Sequence, residues 1–204
     1  MMKKSSGKKN SNKSTTIIFL VVIALIVAVA GYYCYLVNRP KGDTQEKELT
    51  PVQEVLLRNI DINYPPTVKE VIKYYNEITK CIYNEDCSQE DLEALIQRQR
   101  ELFDEELLAN NEWGAHVITL SGEVITFQES GRKLSGCSVG ASTDVVYTEQ
   151  DGYSFARIPC NYTVMQGTDY TTTMHIFLLR KDSSNHWKIY GWDVADNVKL
   201  QAEE

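Results

Sequence analysis

The sequence predicts an α+β protein, with an N-terminal transmembrane helix followed by a domain whose helices pack on a curved four-stranded antiparallel sheet. Three observations predict it. One uncharged apolar run extends from Ile17 to Val37, apolar residues between 50 and 127 recur at helical spacings, and from Lys133 onward the period falls to two.

Residues 1–16 are rich in Lys, Ser and Asn and lack apolar periodicity, so they bury too little surface to order and read as a basic cytoplasmic tail. The run 17–37 holds 21 residues. As a helix it reaches roughly 31 Å, enough to cross the hydrocarbon core of a bilayer. Lys3, Lys4, Lys8, Lys9 and Lys13 precede it, whereas only Arg39 and Lys41 follow closely. The positive-inside bias therefore places the N-terminus in the cytoplasm and the remainder outside, in a single-pass cell-membrane topology. Tyr32, Tyr33 and Tyr35 gather at the outer end, where amphipathic rings prefer the headgroup level. A competing reading is a signal peptide cleaved after Ala28-Val29-Ala30, against which apolar and aromatic residues continue to Val37. Both readings export the same domain.

Residues 38–49 form a charged linker, 50–196 the extracytoplasmic domain, and 197–204 a C-terminal tail. From position 42 onward there are 14 basic against 28 acidic residues, a formal balance of −14. Such a surface disfavours nucleic acid and anionic lipid as partners, since both need a positive patch.

Thr50-Pro51-Val52-Gln53 supplies a cap, a first-turn proline and a box partner for a short helix reaching about Asn59. Pro65-Pro66 interrupts the chain, and Thr67-Val68-Lys69-Glu70 opens a second helix as a capping box. Val68, Val71, Ile72, Tyr75, Ile78 and Ile82 give it one apolar face. Ser88 begins a third helix, whose face is made by Leu92, Leu95, Ile96, Leu102, Phe103 and Leu107. Its connection to the second, Asn84 to Cys87, is short enough to make the two antiparallel neighbours. Trp113, Val117, Leu120, Val124 and Phe127 step by four and three, favouring a helix, although Ser121-Gly122 and β-branched neighbours also suit a hairpin. Four strands in meander order follow, roughly 134–148, 153–166, 170–181 and 186–194. Asp151-Gly152, Gly167-Thr168-Asp169 and Asp182-Ser183-Ser184-Asn185 supply the turns between them.

The closing hairpin, Phe177-Leu178-Leu179-Arg180-Lys181-Asp182 followed by His186-Trp187-Lys188-Ile189-Tyr190-Gly191-Trp192, resembles the last two strands of the NTF2-like, cystatin-like superfamily. Together with Asn63-Tyr64-Pro65-Pro66-Thr67 and Leu102-Phe103-Asp104-Glu105-Glu106-Leu107-Leu108, it makes the chain similar, over roughly 50–194, to uncharacterised membrane-anchored proteins of anaerobic Gram-positive bacteria. The resemblance implies a cone-shaped fold and an envelope location, and no activity.

Four cysteines lie outside the apolar run. Cys81 and Cys87 flank a short helix connection, and Cys137 and Cys160 fall in neighbouring strands, so each pair is a disulfide candidate, with four buried thiols as the alternative. His116, His175 and His186 show no helical pair or close cysteine partner, so no metal is expected. Phosphate-loop and Gly-x-Ser-x-Gly patterns are missing, and no cofactor is expected. Glu101, Asp104, Glu105 and Glu106 diverge within one helical turn and read as a solvated face rather than a calcium shell.

If the cone holds a pocket, its candidate lining residues by strand position are Tyr162, His175, Tyr190, Trp192 and Asp193. Tyr162 shares a face with Ala156 and Ile158, which favours a core tyrosine. His175 alternates against Met174 and Ile176, which makes an exposed imidazole its default. In the opposite phase, with Phe177 and Leu179 inward, it becomes the best candidate for a general base. The leading functional expectation is a non-enzymatic domain that binds a ligand or protein partner, or self-associates through its sheet face. The alternative is an isomerase- or dehydratase-like enzyme using Tyr162, His175 and Asp193. A cavity of about 300 Å³ or more containing both Tyr162 and His175 would favour the second.

Overall fold

The computed structural model describes residues 12–37 and 49–195. They fall in two compact units, divided between Glu48 and Leu49. In the first, helix α1 runs Asn12–Val37, so residues 12–16, expected to belong to the unordered tail, are helical. The side chains described in α1, from 23 to 35, cover 13 positions of the apolar run and are exposed. Among the described residues, no helix is long and apolar enough to cross a membrane. The rest of the expected tail, nearly all of the linker and residues 197–204 lie outside the described residues.

The second unit opens with helix α2, Pro51–Leu57, held by a complete capping box in which Thr50 Oγ1 accepts the Gln53 N–H and Gln53 Oε1 accepts the Thr50 N–H. Helix α3, Val68–Asn84, is capped by Thr67. The Glu70 carboxylate accepts from Lys73 at 2.8 Å. All six residues of the expected α3 apolar face are buried.

The expected third helix is two helices, α4 (Gln89–Arg100) and α5 (Glu105–Asn110). Apolar spacing runs through the break, but after local turns from Leu102 and Phe103 N–H onto Gln99 and Arg100 the backbone there bonds to a distant strand. Asp104 N–H donates to the Ile189 carbonyl, and Ile189 N–H donates to that of Leu102, both at 2.8 Å. Asp104 then caps α5 by accepting the Glu106 N–H. Helix α6, Trp113–Glu129, takes the helical alternative over the hairpin, with Leu120 and Val124 buried. Ser130 ends it, and Gly131 at φ +68° reverses the chain into the sheet.

The sheet contains β1 (Arg132–Val139), β2 (Val146–Gln150), β3 (Tyr153–Gln166), β4 (Asp169–Lys181) and β5 (Trp187–Val194). Its order is β1-β3-β4-β5, with β2 also paired to β3, and every pairing is antiparallel. Five strands thus replace the four expected, because the span 134–148 is split. At Gly140 the backbone passes so close to Pro159 that a Cβ would lie 3.0 Å from its Cγ and 3.2 Å from its carbonyl oxygen. A 3-10 turn at Ser142–Asp144 follows and redirects the chain into β2.

Two irregularities decide which side chains face the helices. Leu178 pairs with Gly191 and Leu179 with Ile189, leaving Tyr190 as an extra residue. This bulge puts Ile189 and Trp192, three positions apart, on one face. A corresponding shift at Ser135 does the same for Leu134 and Cys137. In β4 the expected phase is reversed. Phe177 and Leu179 pair with Ile158 and Ala156 and are buried with them, whereas Met174 is 43 % exposed. His175, opposite Cys160, therefore lies on the inner face.

Candidate functional site

Between the inner face of the sheet and helices α3, α4 and α6 lies a cavity of about 530 Å³. One of its walls, drawn from both the sheet and the helices, is aromatic. Trp192 sits 5.7 Å from Phe177, 5.9 Å from Tyr75 and 6.0 Å from Phe103 between ring centroids, and Tyr75 lies 5.5 Å from Phe177. The β5 bulge delivers Trp192 to this cluster, and the α4–α5 break delivers Phe103. Leu120, Leu134 and Val164 add aliphatic surface.

The polar groups fall at two ends. At one end, Tyr162 O–H donates to Asn76 Oδ1 at 2.5 Å, and Asn76 Nδ2 donates to Cys160 Sγ at 3.3 Å. The His175 ring stands 5.0 Å from that of Tyr162 in an edge-to-face arrangement. Burial raises the Tyr162 phenol well above its ordinary range. Burial also holds the His175 imidazole below its usual value, against the opposing charge of Asp193. Both groups are thus neutral near pH 7. At the other end, on α6, His116 Nδ1 lies 3.0 Å from Arg100 Nη1 and is held low by burial and by that guanidinium. About two turns onward along the same helix face, Tyr83 O–H donates to Glu123 Oε2 at 3.4 Å. Burial and the Glu123 charge push the Tyr83 phenol up to about 12.

Three of the five expected candidates, Tyr162, His175 and Trp192, line this cavity, and two do not. Tyr190 is the bulged residue, and its hydroxyl donates to Glu106 Oε2 at 2.7 Å beside Arg180. Asp193 stands outside the lining, and its charge opposes the lowering of the His175 imidazole. Residues the sequence did not single out complete the site. Asn76, Thr79 and Gln99 are buried polar residues on apolar helix faces, with Gln99 Nε2 donating to Thr79 Oγ1 at 3.0 Å. A polar residue at a core position of the helical period was their available signal.

The acidic cluster is a solvated face only in part: Glu105 and Glu106 are exposed, and Asp104 is not. Asp104 is buried and grips Arg180 through two bonds, Nε to Oδ2 at 2.9 Å and Nη2 to Oδ1 at 2.6 Å, while Glu106 takes Nη1 at 2.6 Å. All four cysteines of the domain are free thiols, and neither candidate pair is bridged. Cys87 Sγ–H donates to the Cys81 carbonyl at 3.7 Å. Burial pushes the Cys81 and Cys137 thiols up to about 11, which keeps them protonated and unreactive. Among the described residues, no three His, Cys, Asp or Glu side chains are grouped to hold a metal ion.

The geometry defines an α+β domain whose antiparallel sheet and helices enclose a small-molecule-sized aromatic cavity. The chain belongs to the family described as a domain of unknown function (DUF6715), which it matches over residues 2–192. No curated protein matches it.

Proposed function

We propose that this protein binds a small, largely apolar molecule in the cavity beneath its sheet, as an NTF2-like extracytoplasmic domain held to the cell membrane by residues 17–37. The observation that carries the reading is the cavity itself. A domain whose only requirement was stability would fill 530 Å³ with side chains, because interiors pack to near-crystalline density. Aromatic walls with a few convergent polar groups are the usual composition of a ligand site.

The test is a cavity-filling variant. Thr119 lies on α6 at the lining and is exposed, so Thr119→Trp should occupy the space without disturbing the buried core. Purified full-length protein should release a bound small molecule on denaturation, detected by mass spectrometry, and Thr119→Trp should release none while keeping its circular dichroism. Failure to recover or titrate any ligand with the unmodified protein would sink the reading. The orientation is tested separately: protease added to spheroplasts should digest the domain and spare the N-terminal tail.

A second reading, acid–base turnover of the bound molecule, is favoured by one observation. Tyr162 and a neutral His175 share a cavity larger than the 300 Å³ set out above. If it holds, the recovered molecule is chemically altered on incubation, and His175→Gln abolishes the change while leaving binding intact.

A further inference from the structure

We infer that the ligand of this cavity is an organic cation, an ammonium or quaternary ammonium head on an apolar body, with the head beside Glu123 and the body along the aromatic wall. The inference rests on the ligand-binding reading above and adds the chemical class.

The lining contains no Lys and no Arg, and both of its histidines are held toward the neutral form. Glu123 is its one acidic residue. Among the described residues, no ion pair engages that carboxylate. Glu123 is an exposed residue of the lining, and its carboxylate accepts from the Tyr83 hydroxyl, a neutral donor. The lining also holds Tyr75, Phe103, Phe177 and Trp192, packed on one another edge to face or tilted, with Phe103 stacked on His116 as well. Aromatic faces carry the negative part of the ring quadrupole and attract a cation within about 6 Å, most strongly when it is desolvated. An anionic ligand would meet the same faces and Glu123 as repulsion, with no lining cation to receive it. A neutral ligand would gain the apolar contacts and nothing from the carboxylate.

Nearby positive charges fix where the head can sit. Arg100 lies at the His116 end and is engaged by the Asn111 carbonyl at 2.7 Å and by the Trp113 ring. Arg132 borders an outer groove shared with Glu123 and does not line the cavity. The head is therefore kept from Arg100 and placed beside Glu123, about two helical turns beyond His116 on α6, while the apolar body extends toward Phe177 and Tyr162. The acidic balance of the domain adds attraction at longer range.

The experiment compares three probes of matched size by tryptophan fluorescence of the full-length chain in a neutral maltoside detergent. They are benzyltrimethylammonium, its carbon isostere neopentylbenzene, and the anion phenylacetate. Benzyltrimethylammonium should bind about tenfold more tightly than neopentylbenzene, the ratio expected of a desolvated cation on aromatic faces, and phenylacetate most weakly. Glu123→Gln should reduce the cation-to-isostere ratio at least threefold while leaving neopentylbenzene affinity unchanged. Equal affinities for cation and isostere, tighter phenylacetate binding, or a ratio indifferent to Glu123→Gln would each overturn the inference. Binding by none of the probes, and by no other small molecule, is the separate failure of the ligand-binding reading itself.

Discussion

Replacing Asp104 by Ala should destabilise the domain by about 4 kcal/mol, because it strands the Arg180 guanidinium in a place that water does not reach. The Arg180 side chain is 8 % exposed and that of Asp104 4 %, so each depends on the other for charge compensation. Removing one member of such a pair costs about 3–5 kcal/mol, and loss of the α5 cap adds about 1 kcal/mol, partly offset by the remaining Arg180–Glu106 contact. With a urea dependence of about 2 kcal/mol per molar, the unfolding midpoint of residues 49–204 should fall by about 2 M. The double variant Asp104→Leu/Arg180→Met should be more stable than Asp104→Ala, since no charge is then left buried alone. The effect should also reach the cavity. Asp104 adjoins Phe103, which the same backbone bonds to Ile189 hold against Trp192. A midpoint shift below 0.5 M, roughly 1 kcal/mol on the same scale, would refute the claim that the pair is effectively desolvated.

Tyr162→Phe removes the hydroxyl that donates to Asn76 Oδ1 and should lower stability by about 1–2 kcal/mol in urea titration, with Asn76→Ala adding less than its own separate cost. Acidification should destabilise the domain in two stages. His116 and His175 are held below their ordinary value of 6.5, so the unfolded chain takes up protons there that the folded chain resists, and stability is lost as pH falls from about 6.5. Glu106 is held low by hydrogen bonds from Tyr190 and Arg180, so its contribution is present above about 4.5 and disappears as pH falls further. Denaturation midpoints against pH, with His116→Gln/His175→Gln flattening the first stage, check both signs. Gly140→Ala should destabilise measurably in thermal unfolding, because the neighbour a Cβ would meet includes the Pro159 backbone.

Local chemistry was legible wherever a few adjacent residues decide the outcome. Thr50, Thr67 and Ser88 cap the helices they were expected to open, and the stepping of Trp113, Val117, Leu120, Val124 and Phe127 was enough to prefer a helix there. Features decided by a distant partner were not legible. The α4–α5 break depends on Ile189, some 85 residues away, while the apolar spacing of Leu102, Phe103 and Leu107 continues a helix without interruption. In β4 both phases are apolar, Met174 with Ile176 on one side and Phe177 with Leu179 on the other, so only the helix-covered face breaks the tie. Trp192 and Tyr190 were assigned together as pocket candidates, and a single bulge sends one to the cavity and the other to Glu106. Asn76 carries no pattern of its own. Its role exists only because Tyr162 arrives opposite it.

The short stretch 102–104 also settles what the far rim of the sheet can accept. By taking up both the amide and the carbonyl of Ile189, it occupies the middle of a strand that would otherwise offer a row of vacant donors and acceptors to a passing peptide. A sixth strand, from another molecule or from a second copy, would have to evict the α4–α5 junction and, with it, one wall of the cavity. An added strand at that margin and an intact cavity wall are therefore mutually exclusive.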